Sequence, residues 1–150
     1  MNDVMNAVAV EIKQYKIESK FLGRDVIIDF YLPPLSANNI SLLLINDGQD
    51  LPVMPFARIL ESLYSQQYIS PLLCAGIHCG IERKMEYGTA DVLHYAGFGG
   101  KASAYTQFVM QELIPFIHNT FNEYTFKNKS YAGFSLGGPW HWGVGYLTCV

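Results

Sequence analysis

The ten residues 129–138, KSYAGFSLGG, decide the predicted fold. The apolar run 131–134 leads directly into Ser135, with Gly133 two residues before the serine and Gly137 two residues after it. This G-x-S-x-G pattern is typical of a nucleophile elbow, in which a serine lies on a strained turn between a strand and a helix. About 0.07 such matches are expected by chance in a chain of this composition. The alternative is a glycine-rich loop with a solvated serine, and a strand before the motif together with a helix after it would favour the elbow.

The composition indicates one folded domain rather than a disordered or membrane-spanning chain. Half of the 150 residues are hydrophobic and 15% are charged, which supplies enough apolar surface for a core. We therefore expect residues 1–150 to form a single α/β domain. The net charge of −3, without a basic cluster, argues against nucleic-acid binding. No apolar run approaches the roughly 18 residues of a membrane span, and no secretory signal is visible, so a cytoplasmic location is expected.

The cysteines and acidic residues predict no metal centre. Cys74, Cys79 and Cys149 are an odd number, and their spacing does not match a zinc site, so buried free thiols are the simpler interpretation. Asp47 and Asp50 are interpreted as turn formers, because two carboxylates in one turn without a further cluster rarely hold a metal. We therefore predict neither a metal nor a cofactor.

Five runs along the chain predict the strands of one sheet. Alternating apolar and polar residues over 8–19 predict a half-buried strand, and the β-branched and aromatic run 26–32 predicts a second. The short turn between these two favours an antiparallel hairpin. The continuous apolar runs 41–45 and 71–77 predict strands buried on both faces, and 131–134 predicts the last strand.

Apolar residues at helical spacing predict the helices. The pattern occurs over 55–67 and again over 103–119, where Pro115 is expected to kink the helix or restart it. The polar, glycine-rich connection 82–101 is longer than a plain connector needs and is a candidate functional loop. Residues 122–128 are predicted to form a polar turn before the last strand.

The order of these elements predicts a mostly parallel sheet with crossover helices on both faces. Ligands bind such sheets beyond the carboxyl ends of the strands. The Asp47-Gly48-Gln49 turn, His78 and Ser135 all lie at those predicted ends. We therefore expect a single site at this edge of the sheet.

Four sequence blocks carry a resemblance to a known family. They are LLLINDGQ at 42–49, RKMEYG at 83–88, FVMQELIPFI at 108–117 and GFSLGG at 133–138. In this order they resemble the putative esterase family of the α/β-hydrolase superfamily, which includes esterase D-like enzymes, enterochelin esterases, feruloyl esterases and mycolyltransferases. The resemblance extends over residues 8–138 and implies an α/β-hydrolase-like domain.

The resemblance also implies a serine hydrolase that acts on a small-molecule carboxylic ester through an acyl-enzyme. Ser135 would be the nucleophile, and the backbone N–H groups of Leu136 and Gln49 would form the oxyanion hole. Donors aimed at the developing oxyanion contribute roughly 3–4 kcal/mol each. The candidate residues of the substrate cleft are His78, Arg83, Glu86 and Tyr87. Arg83, Glu86 and Tyr87 begin the long connection. The alternative interpretation of these three residues is a surface ion pair and a tyrosine that packs against the fold.

The sequence departs from the family pattern after Ser135. A serine needs a base, normally a histidine oriented by a carboxylate, and in this fold both residues follow the serine. No Asp or Glu follows here, His141 is the single later histidine, and His78 and His94 precede the serine. The resemblance implies that the acid, the base and the C-terminal strands lie beyond residue 150. The domain over 1–150 is therefore expected to be incomplete.

This departure leaves several outcomes open. The chain is an esterase with impaired turnover, or a catalytically inactive truncated fragment that serves as a binding or assembly unit. A partner chain that supplies the missing half is a third option. Without the last strands, the strand that leads to Ser135 would be an exposed edge, which favours a homo-oligomer through that edge.

Overall fold

The computed structural model describes residues 8–34, 38–87 and 100–133. Its strands are β1 (Ile12–Ser19), β2 (Arg24–Tyr31), β3 (Asn39–Asn46), β4 (Leu72–Ile77) and β5 (Thr125–Ala132). Within the described ranges they form one five-stranded sheet in the order β1-β2-β4-β3-β5. The first four strands lie where the alternating and apolar runs predict them, although β1 begins at Ile12 rather than at residue 8.

The sheet is mixed and not mostly parallel as predicted. β1 and β2 form the expected antiparallel hairpin, and β2 is also antiparallel to β4. β3 is parallel to both β4 and β5. The parallel half is therefore β4-β3-β5, where helices connect the strands, and the hairpin extends the sheet beyond β4.

Helices cover both faces of the sheet, as the order of the elements predicts. They are the 3₁₀ helix Gly48–Val53, α1 (Phe56–Ser65), α2 (Arg83–Glu86), α3 (Ala102–Gln107) and α4 (Ile114–Thr120). On one face α1 buries Leu60 and Tyr64. On the other face the α3–α4 segment buries Tyr105, Phe108 and Ile117. Within the described residues, no helix is both long and apolar enough to cross a membrane.

The continuous apolar run of β3 is explained by these two helical layers. Leu42 and Leu44 pack in the cluster that contains α3 and α4, whereas Ile45 and the half-buried Leu43 pack with α1. Successive side chains of a strand point to opposite faces, so a strand covered on both sides needs apolar residues at every position. Full burial of each leucine contributes about 1.5–3 kcal/mol.

The helical segment around Pro115 is irregular, as predicted. A π-helical segment, Phe108–Leu113, joins α3 to α4, and Pro115 lies in the first turn of α4. A proline inside a regular α-helix removes one hydrogen bond and crowds the carbonyl of the preceding turn. The irregularity takes the form of a wider turn directly before the proline, so the chain stays helical rather than breaking.

β5 begins at Thr125, inside the segment 122–128 that was predicted as a polar turn. Its side chains are exposed or half-buried, and Lys127 is an extra residue between the partners of Ile40 and Ser41. Such a bulge interrupts the alternation of a strand, and exposure at the edge of a sheet permits polar residues. The turn prediction is therefore wrong over the first half of β5, because this strand has no periodic signal there.

Buried tyrosines make the stability of the fold sensitive to alkaline pH. Burial raises the hydroxyl pKa of four of them, namely Tyr31, Tyr64, Tyr87 and Tyr105. Above the unfolded-state pKa of about 10, the folded chain keeps protons that the unfolded chain has lost. These groups therefore leave stability unchanged below about pH 10 and lower it above that pH, by up to about 1.4 kcal/mol per pH unit for each group.

Urea unfolding measured from neutral to strongly alkaline pH checks this expectation. Tyr87→Phe should make the alkaline decline in the free energy of unfolding shallower, because one of the shifted groups is removed. Tyr68→Phe, at a position that is 73% exposed, is the matched control and should keep the wild-type slope. Equal slopes in the two variants would contradict the expectation.

Candidate active site

The carboxyl ends of β3, β4 and β5 meet at one edge of the sheet. Asn46 pairs with Ile77 of β4, and Ile45 pairs with Ala132 of β5. The connections after these strands therefore start side by side, where parallel sheets bind ligands. β5 ends three residues before Ser135, so a strand does precede the G-x-S-x-G motif. The predicted or considered site residues that lie outside the described ranges are Ser135, Leu136, His94 and His141.

The connection after β3 is a tight turn that brings Gln49 to this edge. Asp47 has a φ of 57° and a ψ of 43°, a left-handed conformation that Asp tolerates better than most residues. The next residue, Gly48, lies directly against β4. A Cβ atom at Gly48 would be 2.2 Å from the carbonyl carbon of Gly76. Glycine is required at this position because only it allows the two backbones to approach so closely.

Asp47 and Arg83 form a bidentate ion pair at this turn. The Nε and Nη2 atoms of Arg83 donate to the two carboxylate oxygens of Asp47 at 2.7 and 2.6 Å. The Asp47 side chain is 2% exposed and that of Arg83 is 32% exposed. The guanidinium carbon also lies 5.1 Å from the ring centre of Tyr87, a cation–π distance. The hydrogen bonds to Asp47 raise the pKa of Arg83, so the guanidinium stays charged at ordinary pH.

Gln49 links this turn to the connection that follows β4. Its side-chain oxygen accepts a hydrogen bond of 3.0 Å from the backbone N–H of Cys79. The hydrogen bonds of the 3₁₀ helix begin with the N–H of Asp50, which donates to the carbonyl of Asp47 at 2.9 Å. The backbone N–H of Gln49 precedes the first of these bonds and therefore takes no part in the hydrogen bonding of the helix.

A second buried ion pair holds the other end of α2. Arg24, the first residue of β2, donates from Nε and Nη2 to the Glu86 carboxylate, at 2.7 Å in both contacts. The Glu86 side chain is 1% exposed and that of Arg24 is 21% exposed. The hydrogen bonds to Glu86 raise the pKa of Arg24. The short helix is thus held by Asp47 at Arg83 and by the hairpin at Glu86.

Two buried tyrosines support the turn from the core. The rings of Tyr87 and Tyr105 meet edge to face with their centroids 5.4 Å apart. The Tyr105 hydroxyl donates to the side-chain oxygen of Asn46 at 2.7 Å. The buried polar residue at the end of β3 is therefore hydrogen-bonded, as buried amides need to be. The Tyr87 hydroxyl oxygen lies 3.4 Å from the backbone nitrogen of Asp47, which is a long and weak contact.

His78, directly after β4, is paired with a carboxylate of the neighbouring strand. Its Nε2 atom lies 2.6 Å from Oδ2 of Asp29. The other oxygen of Asp29 accepts a hydrogen bond from the side chain of Gln14 at 2.8 Å. The imidazole is therefore oriented by a carboxylate that is itself held in place. In the part of the chain that the structure describes, no group of three or more His, Cys, Asp and Glu side chains is placed to hold a metal ion.

The structure divides the four predicted cleft residues into two groups. Arg83 and His78 keep part of their surface exposed, whereas Glu86 and Tyr87 face the interior. The sequence interpretation of Asp47 as a turn former describes its backbone but misses its carboxylate, which binds Arg83. The two residues are 36 positions apart, so no local pattern in the sequence indicates this pair.

Solved structures of longer proteins share this fold. An IroE-like serine hydrolase from Shewanella oneidensis matches with a TM-score of 0.69 and 22% identity, over 85% of this chain and 43% of its own. The BES protein from Bacillus cereus matches with a TM-score of 0.70 and 21% identity, over 91% of this chain and 55% of its own. Enterochelin esterase from Shigella flexneri matches with a TM-score of 0.67 and 18% identity, over 84% of this chain and 30% of its own. The chain thus spans about half or less of the length of these proteins, whose likeness shows an α/β-hydrolase-like fold.

The sequence itself shows the family. A comparison with curated proteins gave no match. The model of the family described as Putative esterase matches residues 19–140, which include β2 to β5 and the G-x-S-x-G motif. This match confirms the resemblance seen in the four sequence blocks, and the chain belongs to the Putative esterase family.

Proposed function

We propose that this chain carries the nucleophile part of a serine esterase that acts on small-molecule carboxylic esters. Ser135 is the nucleophile, and the backbone N–H groups of Leu136 and Gln49 are the oxyanion donors. The observation that carries the proposal is the position of the turn with Gln49. It follows β3, the sheet neighbour of β5, and β5 leads into the G-x-S-x-G motif. Membership of the Putative esterase family supports the ester as substrate.

The proposed reaction has two acyl-transfer steps. The Ser135 oxygen attacks the carbonyl carbon of the ester while a base takes the hydroxyl proton. The carbonyl electron pair moves onto its oxygen, which the two N–H groups stabilise by roughly 3–4 kcal/mol each. Collapse of this intermediate breaks the bond to the alcohol oxygen, which takes up the proton and leaves an acyl group on Ser135. Water then attacks in the same way and releases the carboxylic acid.

In this fold the acid and the base of the triad normally follow the serine in the chain. No Asp or Glu follows Ser135, and His141 is the single later histidine. His78, oriented by Asp29, is an alternative base at the correct edge of the sheet, although it precedes the serine in the chain. With His78 as the base, we expect both acylation and deacylation to be slow, because its place in the chain departs from the usual order of the triad.

Hydrolysis of p-nitrophenyl acetate tests the proposed function. We expect a slow stoichiometric burst of p-nitrophenolate followed by still slower turnover, because p-nitrophenolate leaves without a proton from an acid, whereas deacylation needs a base that activates water. Ser135→Ala should abolish the burst and lower the rate to that of buffer. Ser130→Ala, which changes an exposed serine of β5, is the matched control and should change neither quantity. A burst that persists in Ser135→Ala would contradict the assignment of the nucleophile.

A second candidate function is a non-catalytic assembly unit. It is favoured by the position of β5, which lies at an edge of the sheet among the described strands. An edge strand presents backbone donors and acceptors that a second copy of the chain can pair with. The absence of any burst, together with concentration-dependent self-association in light scattering, would favour this function. A monomer at every concentration would count against it.

A further inference from the structure

The turn that begins at Asp47, together with the 3₁₀ helix Gly48–Val53, forms a segment that we name the oxyanion loop. We infer that the Asp47–Arg83 ion pair positions this loop, so that Arg83 acts on the reaction through the backbone N–H of Gln49. The inference rests on the proposed function. In this role Arg83 is a positioning residue that orders the donor and does not contact the ester.

The first argument is the backbone conformation of Asp47. Its left-handed φ of 57° is one that residues other than glycine seldom adopt, and such conformations persist only where surrounding contacts hold them. The carboxylate of Asp47 is held at both oxygens by Arg83. Because a side chain fixed at both oxygens restricts its own backbone, the pair stabilises the turn that directs the Gln49 N–H.

The second argument concerns the other contacts of the oxyanion loop. Gly48 lies against the backbone of Gly76, and the side chain of Leu51 is buried in the cluster around α1. These contacts press the loop onto the sheet from one side. The carboxylate of Asp47, at the start of the loop, binds Arg83 instead, so the ion pair adds a restraint that the contacts of Gly48 and Leu51 do not supply.

The third argument is that Arg83 is itself firmly held. Its guanidinium packs over the ring of the buried Tyr87. The backbone carbonyl of Met85 accepts a hydrogen bond of 2.7 Å from the N–H of Lys101. A planar guanidinium that is anchored in this way fixes a carboxylate in two directions, whereas an ammonium group fixes it in one.

The chain contains a matched control for this inference. The Arg24–Glu86 pair has the same bidentate chemistry, involves the same helix and buries its carboxylate to the same degree, with Glu86 at 1% exposure and Asp47 at 2%. Arg24 and Glu86 do not contact the oxyanion loop in the described hydrogen bonds. A change that only weakens the fold should therefore act alike at both pairs, and a change in positioning should act at Arg83 alone.

The experiment compares Arg83→Lys with Arg24→Lys in the full chain. Thermal unfolding should show similar losses in Tm for the two variants. Hydrogen exchange followed by mass spectrometry should become at least about 10-fold faster in the oxyanion loop of Arg83→Lys, because its contacts with Asp47 are weakened. The acylation rate constant with p-nitrophenyl acetate should fall about 10-fold to 100-fold in Arg83→Lys, with the half-saturating ester concentration unchanged. Arg24→Lys should leave loop exchange and acylation within about 3-fold of wild type.

Each other outcome decides the question. Equal effects of the two variants on acylation, or unchanged loop exchange in Arg83→Lys, would overturn the inference. If Arg83→Lys does not fold, Asp47→Asn replaces it, because that change keeps the size of the side chain and one acceptor oxygen. If the wild-type chain is not acylated at Ser135, the proposed function fails, and the exchange comparison alone decides whether the pair holds the loop.

Discussion

Gly48→Ala is expected to lower the free energy of unfolding by about 3 kcal/mol or more. The added Cβ would lie 2.2 Å from the carbonyl carbon and 2.4 Å from the carbonyl oxygen of Gly76. Gly76 belongs to β4, which is paired on both sides with β2 and β3. The clash therefore falls on backbone that cannot move without breaking the sheet. Urea unfolding followed by circular dichroism measures the loss.

Gly23→Ala separates this clash from the cost of backbone strain. Gly23 has a φ of 63° in the β1–β2 turn, and an added Cβ would meet no atom within 4 Å. Its substitution should cost only about 1–2 kcal/mol, from the left-handed conformation alone. If Gly48→Ala is no more destabilising than Gly23→Ala, the close approach of the two backbones is not as tight as the structure indicates.

Arg24→Met is expected to destabilise the chain by about 3–5 kcal/mol. The change leaves the Glu86 carboxylate, 1% exposed, without its bidentate partner. Glu86→Gln should cost less, about 1–2 kcal/mol, because Gln keeps one acceptor and the guanidinium of Arg24 can reach water. Removing the cation is thus expected to be worse than neutralising the anion, since the anion is the more deeply buried member of the pair.

Chemical unfolding of the two variants at neutral pH measures this asymmetry. Lys16→Met provides a control, because Lys16 binds Asp25 at 2.8 Å in a pair whose two side chains are 66% and 48% exposed. Exposed ion pairs contribute about 0–1 kcal/mol, so this variant should stay close to wild type. Equal losses for Arg24→Met and Glu86→Gln, or the reverse order, would contradict the structural role assigned to the buried carboxylate.

The parts of the fold with a local periodic signal could be predicted from the sequence. β3 is an uninterrupted apolar run because both of its faces are covered, and α1 shows apolar residues at helical spacing because one of its faces is buried. Pro115 marked the irregular helix because the missing N–H is a property of the residue itself. Each of these features is set by neighbours along the chain.

The features that depend on distant partners could not be predicted. The antiparallel pairing of β2 with β4 brings together strands separated by β3 and α1, and no local pattern specifies it. β5 begins earlier in the chain than the sequence predicts. A bulge and the exposure of this edge strand remove the alternation of apolar and polar residues. At the candidate site, Asp47 binds Arg83 36 residues away and Arg24 binds Glu86 62 residues away. The individual residues were visible in the sequence, but their pairing was not.

Mass spectrometry of the chain during its reaction with p-nitrophenyl acetate tests the role of Ser135 most directly. We predict one acetyl group per chain, located by peptide mapping on the fragment that contains Ser135. The acetyl group should appear at the same rate as p-nitrophenolate is released in the burst, and it should be absent from Ser135→Ala. An unmodified chain, or an acetyl group on another residue such as His78 with Ser135 unmodified, would contradict the proposal that Ser135 is the nucleophile of this esterase-family chain.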